Sequence, residues 1–184
     1  MKDSKKVLIF TYYWPPSGGS GVQRWMYFTK YLKQLGWEPI VITVNEKQAS
    51  YPVLDFELLE QVKDIQVIKT DTKEPLKIYS QILTGSTNRG IPQGAISKKG
   101  WFSKMAAFVR GNFFIPDARK GWNNFAKVEA ERLIRQKGIQ KLITTGPPHS
   151  THLVGLQLKA QFGIQWWADF RDPWNDIFYN KDLY

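Results

Sequence analysis

The sequence predicts an α/β fold, with an open parallel sheet that carries helices on both faces in the Rossmann-like manner. Short runs of continuously apolar residues alternate with longer segments of helical period, which is typical of βαβ units. A glycine-rich stretch joins the first apolar run to the first helical segment, as in strand–loop–helix units that hold anions. The 184 residues fit a single domain, which we assign to residues 1–184.

The first apolar run, residues 7–10, suits a central strand that is covered on both faces. From residue 21 onward the apolar positions follow a helical period. The glycines between the apolar run and the helical segment permit positive φ and let the backbone or phosphate of another molecule approach closely. The helix start offers unpaired N–H groups. The candidate substrate-binding residues of this loop are Gly18, Gly19, Gly21 and Gln23. The alternative is a loop that needs glycine only for its turns.

The other apolar runs predict four further parallel strands, at residues 39–44, 65–69, 141–145 and 165–170. Helices are predicted for residues 21–35, 54–62, 123–136 and 151–162. Gly36, Gly138 and Gly163 are expected to end three of these helices, and Ser150 is expected to cap the last one. Residues 84–100 show no period and are predicted to form a loop.

The candidate crevice lies at the carboxyl ends of the strands, where ligands bind in open parallel sheets at the point of reversed strand order. The first and fourth strands usually flank that point, so the glycine loop should face residues 146–150. Candidate substrate-binding residues there are Gly146, His149 and Ser150. Asp169, Arg171 and Asp172 follow the fifth strand on the same edge and are the catalytic candidates. The alternative for them is a structural ion-pair corner.

Two common cofactor sites are disfavoured. Arg24 stands where a dinucleotide-binding G-x-G-x-x-G turn has its third glycine, and the loop is lengthened by Trp14 and two prolines. We therefore expect no cofactor. His149 and His152 have a spacing that metal ligands can use, but the sequence supplies no further ligands at metal-site spacing, so no metal site is predicted. Because the chain has no cysteine, disulfide and thiolate chemistry are excluded.

The net charge of +10 favours acidic partners, while an aromatic fraction of 15% is high for a plain nucleic-acid module, so no nucleic acid is expected. Basic and aromatic residues concentrate in one stretch, and those predicted to contact an anionic membrane or a lipid-linked acceptor are Lys98, Lys99, Trp101, Lys104 and Arg110. The alternative is a helix with aromatics in the core and solvated cations. With neither a leader nor a run of about 20 apolar residues, we expect a cytoplasmic protein, peripheral at the inner face of the membrane.

Several motifs together resemble the amino-terminal domain of GT-B glycosyltransferases, particularly the retaining family-4 enzymes of the glycogen-synthase-like group. The motifs are PPSGGSGVQR, LGWEPIVITV, IPDARKGW, and TTGPPHSTHLVGLQLK followed by WWADFRDPW, so the resemblance runs nearly end to end. It implies that this domain holds the acceptor and that Gly19, Gly21 and Gln23 approach the diphosphate of a nucleotide-sugar donor. Some relatives have a histidine near residues 169–172, where this chain has Arg171.

The resemblance implies transfer of a sugar to a glycan or lipid-linked acceptor, in cell-surface polysaccharide or glycolipid synthesis. It also implies a second Rossmann-like domain that binds the donor, and the sequence ends soon after the fifth strand. We therefore expect half an enzyme that is inactive by itself. One alternative is a stand-alone nucleotide-binding module, which nucleotide binding by the isolated chain would favour. The other is a membrane or partner-binding adaptor, which liposome binding without nucleotide affinity would favour.

Overall fold

The computed structural model describes residues 5–73 and 116–172, and its strands form one parallel sheet. The strands are β1 Lys6–Phe10, β2 Glu38–Val44, β3 Gln66–Thr70, β4 Lys141–Thr145 and β5 Gln165–Asp169. Their order across the sheet is β3-β2-β1-β4-β5, and every pair of neighbours is parallel. The predicted fold class is confirmed.

The helices of the described residues are α1 Ser20–Gln34, α2 Glu57–Glu60, α3 Asn123–Lys137 and α4 Thr151–Phe162, with a 3₁₀ turn at Lys120–Trp122 before α3. Gly36, Gly138 and Gly163 have φ angles of 78°, 62° and 65° and follow the ends of α1, α3 and α4, as predicted. α2 is shorter than the helix predicted for residues 54–62. Of its four residues only Leu58 is buried, which leaves little packing to stabilise further turns.

Helices cover both faces of the sheet, which explains why residues 7–10 of its central strand are all apolar. On one face, Val22 and Met26 of α1 pack against Ile9. On the other face, Leu133 of α3 and Leu158 of α4 belong to the core cluster that contains Phe10 and Leu142. Alternate residues of β1 therefore enter two separate cores, and no polar face remains on this strand.

The strand register brings three loops to one edge of the sheet. Phe10 at the end of β1 pairs with Thr144, and Thr145 at the end of β4 pairs with Asp169. The chain leaves these strands on the same side, and the strand order reverses between β1 and β4. These loops follow β1 and β4 at the switch point of the sheet, which is where the crevice is predicted.

One group of predicted residues falls outside the described ranges: Lys98, Lys99, Trp101, Lys104 and Arg110. The loop predicted for residues 84–100 falls outside them too. The membrane contact of these side chains stays a prediction. Among the helices in residues 5–73 and 116–172, none is long and apolar enough to cross a bilayer.

Candidate functional site

The start of α1 opens toward the crevice. Gly19 is its N-cap residue with a φ of 96°, a value that glycine tolerates and other residues rarely adopt. No side chain caps the helix, and its first turn contains no acidic residue. Gly19 and Ser20 are both exposed. The N–H groups of this helix start are thus accessible to a ligand, and no internal carboxylate of the first turn competes for them.

Arg171 lies against this helix start. A Cβ atom added to Gly21 would lie 2.7 Å from its Nη1 atom, so glycine makes room for the guanidinium. The Arg171 Nε atom is 3.8 Å from the nearer carboxylate oxygen of Asp172. A cation beside the positive end of a helix dipole is unfavourable by itself, and an anion bound between them would be attracted to both. The corner formed by Gly19, Gly21 and Arg171, called the α1 corner below, therefore suits a phosphate group.

Gly18 has a different role from the other two loop glycines. A Cβ atom there would lie 3.1 Å from Val53 Cγ1 and 3.2 Å from Asp55 Cβ. Its N–H donates to the Val53 carbonyl at 2.9 Å. Gly18 therefore packs the loop against residues 53–55, which gives it a structural reason to be glycine. Gln23, also predicted to bind substrate, is exposed on the first turn of α1.

Asp169 joins three elements that surround the crevice. Its Oδ1 accepts a hydrogen bond from Arg24 Nη2 at 2.7 Å, and its Oδ2 accepts from Trp25 Nε1 at 2.7 Å. The Thr145 hydroxyl also donates to Oδ2, at 3.2 Å. The carboxylate thus ties α1 to the ends of β4 and β5. These contacts are those of a positioning residue, and its catalytic role stays a prediction.

Sequence reasoning missed the partners of Asp169. Arg24 and Trp25 precede it by 145 and 144 residues, and no local pattern links them. The available signal was Arg24 itself, which occupies the third position of the glycine motif and departs from the dinucleotide pattern.

The start of α4 is capped differently from the prediction. Ser150 stands at the N-cap position, but its side chain makes no capping hydrogen bond. Instead its hydroxyl donates to Asp117 Oδ1 at 3.1 Å, and its N–H donates to Asp117 Oδ2 at 2.8 Å. Ser150 has helical φ and ψ angles of −56° and −22°, whereas a capping residue needs non-helical ones. The predicted cap was wrong, and Asp117, from the IPDARKGW motif, was missed.

His149 and His152 lie in the loop after β4 and the first turn of α4, with only 6% and 3% of their surfaces exposed. A Cβ atom on Gly146 would lie 2.5 Å from His149 Nδ1, so glycine at 146 makes room for this ring. His152 Nδ1 is 2.8 Å from the Thr144 hydroxyl, which accepts a hydrogen bond from Trp166 Nε1 at 2.9 Å. Burial lowers the pKa of both histidines, that of His152 to about 4. Both rings are therefore neutral at pH 7 and suited to hydrogen bonding.

Lowering the pH is expected to destabilise the fold through His152. Its pKa of about 4 in the folded chain lies below the ordinary value of 6.5, so the unfolded chain binds the proton more readily. The contribution of His152 to the free energy of unfolding should be constant above about pH 6.5 and fall toward pH 4, by at most about 1.4 kcal/mol per pH unit. Urea unfolding at pH 7.5, 6 and 5 measures this. His152→Gln, which takes up no proton, should show a flatter dependence, and equal slopes for both proteins would contradict the assignment.

The described residues contain no group of three metal-ligating side chains that would hold a metal ion. No family model and no curated protein matches the chain.

Proposed function

We propose that this chain is the acceptor-side half of a glycosyltransferase, which transfers a sugar from a nucleotide-sugar donor to a glycan or lipid-linked acceptor. The observation that carries the proposal is the α1 corner, where an uncapped helix start and the Arg171 guanidinium meet at the switch point of a parallel sheet. The net charge of +10 also favours an anionic substrate. The motifs that resemble GT-B enzymes agree with this site, since their glycine loop is the segment that leads into α1.

The chemistry of sugar transfer fits the N–H groups and the guanidinium at the α1 corner. In sugar transfer, the bond between the anomeric carbon and the diphosphate oxygen breaks, the acceptor oxygen forms a new bond to that carbon, and the proton of the acceptor hydroxyl passes to the departing diphosphate. Negative charge builds up on the departing nucleoside diphosphate. N–H groups at the start of α1, together with Arg171, are fixed donors and charges that stabilise such a leaving group. On this proposal Asp169 holds Arg24 and Trp25 so that the helix start stays aligned with the end of β4.

An aromatic stripe on α1 supports a lipid-linked acceptor. Four large apolar side chains are exposed, of which Tyr27, Phe28 and Tyr31 belong to α1 and Leu35 directly follows it. Tyr27, Tyr31 and Leu35 follow one another at intervals of four residues. The helix carries Arg24, Lys30 and Lys33 and no acidic residue. Exposed aromatic and basic residues on one helix suit the interface of a membrane with anionic lipids. We propose that the protein acts in cell-surface polysaccharide or glycolipid synthesis at such a membrane, with a second domain that supplies most of the contacts to the donor.

Substituting Arg171 should weaken nucleoside diphosphate binding. Titration calorimetry with UDP, GDP and ADP should show weak binding. For the nucleotide that binds most tightly, the dissociation constant should rise by about 10-fold or more in Arg171→Gln. The reason is the loss of a charge-assisted contact to phosphate, worth on the order of 1.5–3 kcal/mol.

Arg135→Gln is the matched control. It removes the same charge from the exposed surface of α3, where Arg135 lies over the Phe162 ring, and should leave binding unchanged. Equal losses in the two variants would indicate a general charge effect. Unchanged binding in Arg171→Gln would contradict the proposed phosphate site.

A further inference from the structure

Two helices begin at the crevice, and their starts differ. α1 follows the loop after β1 and α4 follows the loop after β4, so both point the positive ends of their dipoles at the same edge. On physical grounds either one would attract an anion. The start of α1 is exposed and uncapped. In contrast, Ser150 and Thr151 at the start of α4 are completely buried.

The buried helix start already contains a carboxylate from a distant part of the chain. Asp117 accepts the Ser150 N–H at 2.8 Å with one oxygen and the Ser150 hydroxyl at 3.1 Å with the other. The oxygen that accepts the Ser150 hydroxyl, Oδ1, also accepts the Arg119 N–H at 2.9 Å. The carbonyl of Ser150 accepts a hydrogen bond from Asn123 Nδ2 at 2.9 Å. Residues 117–123 thus hold every polar group of Ser150, and a negative charge occupies the place of an external anion.

We propose that Asp117 is a built-in anion that fills the start of α4, and that it withholds this helix start from phosphate so that the donor's diphosphate meets only α1. The effect of Asp117 on where the diphosphate binds rests on the proposed function. The filling of the α4 start by Asp117 does not. In this role Asp117 is a specificity-determining residue that touches no substrate. It acts through Ser150, which it keeps fixed at the buried start of α4, and through the charge that it places there.

The alternative is that the Asp117 side chain merely fills space. Chemical rescue separates the two roles, because a small carboxylate can replace the missing group only where the site attracts an anion. Asp117→Ala should lower the unfolding midpoint by roughly 3–8 °C, the range expected when a helix cap is lost from a chain of this size. Sodium formate should restore most of that loss in a saturable way. Sodium chloride at the same ionic strength should not.

Three other proteins are the controls for the rescue. The wild-type chain already holds its own carboxylate, and Ser150→Ala keeps the hydrogen bond from the N–H of residue 150 to Asp117. Neither should gain stability from formate. Asp117→Asn keeps the shape without the charge, so it should stay folded and gain nothing from formate. A formate effect that is the same in Asp117→Ala and in the wild type would overturn the built-in anion.

Inorganic phosphate is the probe that tests whether Asp117 withholds the start of α4 from phosphate. In the wild type, its stabilising effect on the unfolding midpoint should disappear with Arg171→Gln, because of the two helix starts at this sheet edge only that of α1 is exposed, and Arg171 lies against it. In the double variant Asp117→Ala with Arg171→Gln, the phosphate effect should return, since the start of α4 has been vacated. No phosphate effect in the double variant would overturn the specificity role. If phosphate fails to stabilise even the wild type while formate still rescues Asp117→Ala, the proposed function fails and the built-in anion stands.

Discussion

If the chain is part of the proposed glycosyltransferase, replacing Gly21 with alanine is expected to lower the turnover of that enzyme by about 100-fold or more, with the fold intact. The new Cβ atom would lie 2.7 Å from Nη1 of Arg171, which is the end of a flexible side chain and can move away. The guanidinium is then displaced from the helix start, and the space for a phosphate narrows. Losing one preorganised group that stabilises developing charge costs on the order of 10²–10³ in rate. Alanine also favours helix over glycine, so the unfolding midpoint should not fall.

A double-mutant cycle with Arg171→Gln tests this mechanism. If Gly21→Ala acts by displacing Arg171, the two substitutions together should cost little more than either one alone, because both remove the same interaction. Steady-state rates of the four proteins, with circular dichroism melts of each, supply the measurement. Near-normal turnover in a folded Gly21→Ala variant would count against the site, and full additivity would count against the link to Arg171.

Replacing Asp169 with alanine is expected to lower the free energy of unfolding by roughly 2–4 kcal/mol. The carboxylate accepts hydrogen bonds from Arg24, Trp25 and Thr145, and Trp25 is buried. Without it, the indole N–H of Trp25 and the guanidinium of Arg24 lose their acceptor, and hydrogen bonds to charged groups contribute about 1.5–3 kcal/mol each. Urea unfolding measures the change.

Glu129→Ala is the matched control for Asp169→Ala. Glu129 forms an ion pair with Arg132 three residues away on the surface of α3, and such pairs contribute less than about 1 kcal/mol. The control should therefore be almost as stable as the wild type. Equal losses in both variants would mean that Asp169 does not hold the crevice together.

The layout of the fold was predictable because local patterns specify it. Continuous apolar runs located the strands, since a strand covered on both faces has no polar side. Glycines with positive φ marked the ends of α1, α3 and α4. The position of the crevice followed from the expectation that β1 and β4 are neighbours. In contrast, the predicted helix at residues 54–62 forms a single turn, because the sequence pattern did not reveal how little of it is buried.

The sequence predicted which loops share the edge of the candidate site, but it predicted few of the contacts between them. Gly19, Gly21 and Arg171 meet at the α1 corner, but Gly18 and Gly146 have packing reasons to be glycine. The hydrogen bonds that fix the crevice join residues far apart in the chain. Asp117 lies 33 residues before Ser150, and its carboxylate accepts hydrogen bonds from the N–H and the hydroxyl of Ser150, the residue that the sequence predicted as a local cap. Such contacts depend on tertiary structure and leave no periodic signal.

Acceptor-dependent release of nucleoside diphosphate from a nucleotide sugar tests the central claim most directly. The assay uses a panel of nucleotide sugars with lipid-linked and glycan acceptors. It compares the 184-residue chain with the longest natural product that contains it. We predict release by the longer product with at least one donor and acceptor pair, a large loss with Arg171→Gln, and no turnover by the chain alone. Absence of sugar transfer by the longer product across the panel, despite nucleotide binding at the α1 corner, would contradict the glycosyltransferase proposal and favour a nucleotide-binding module.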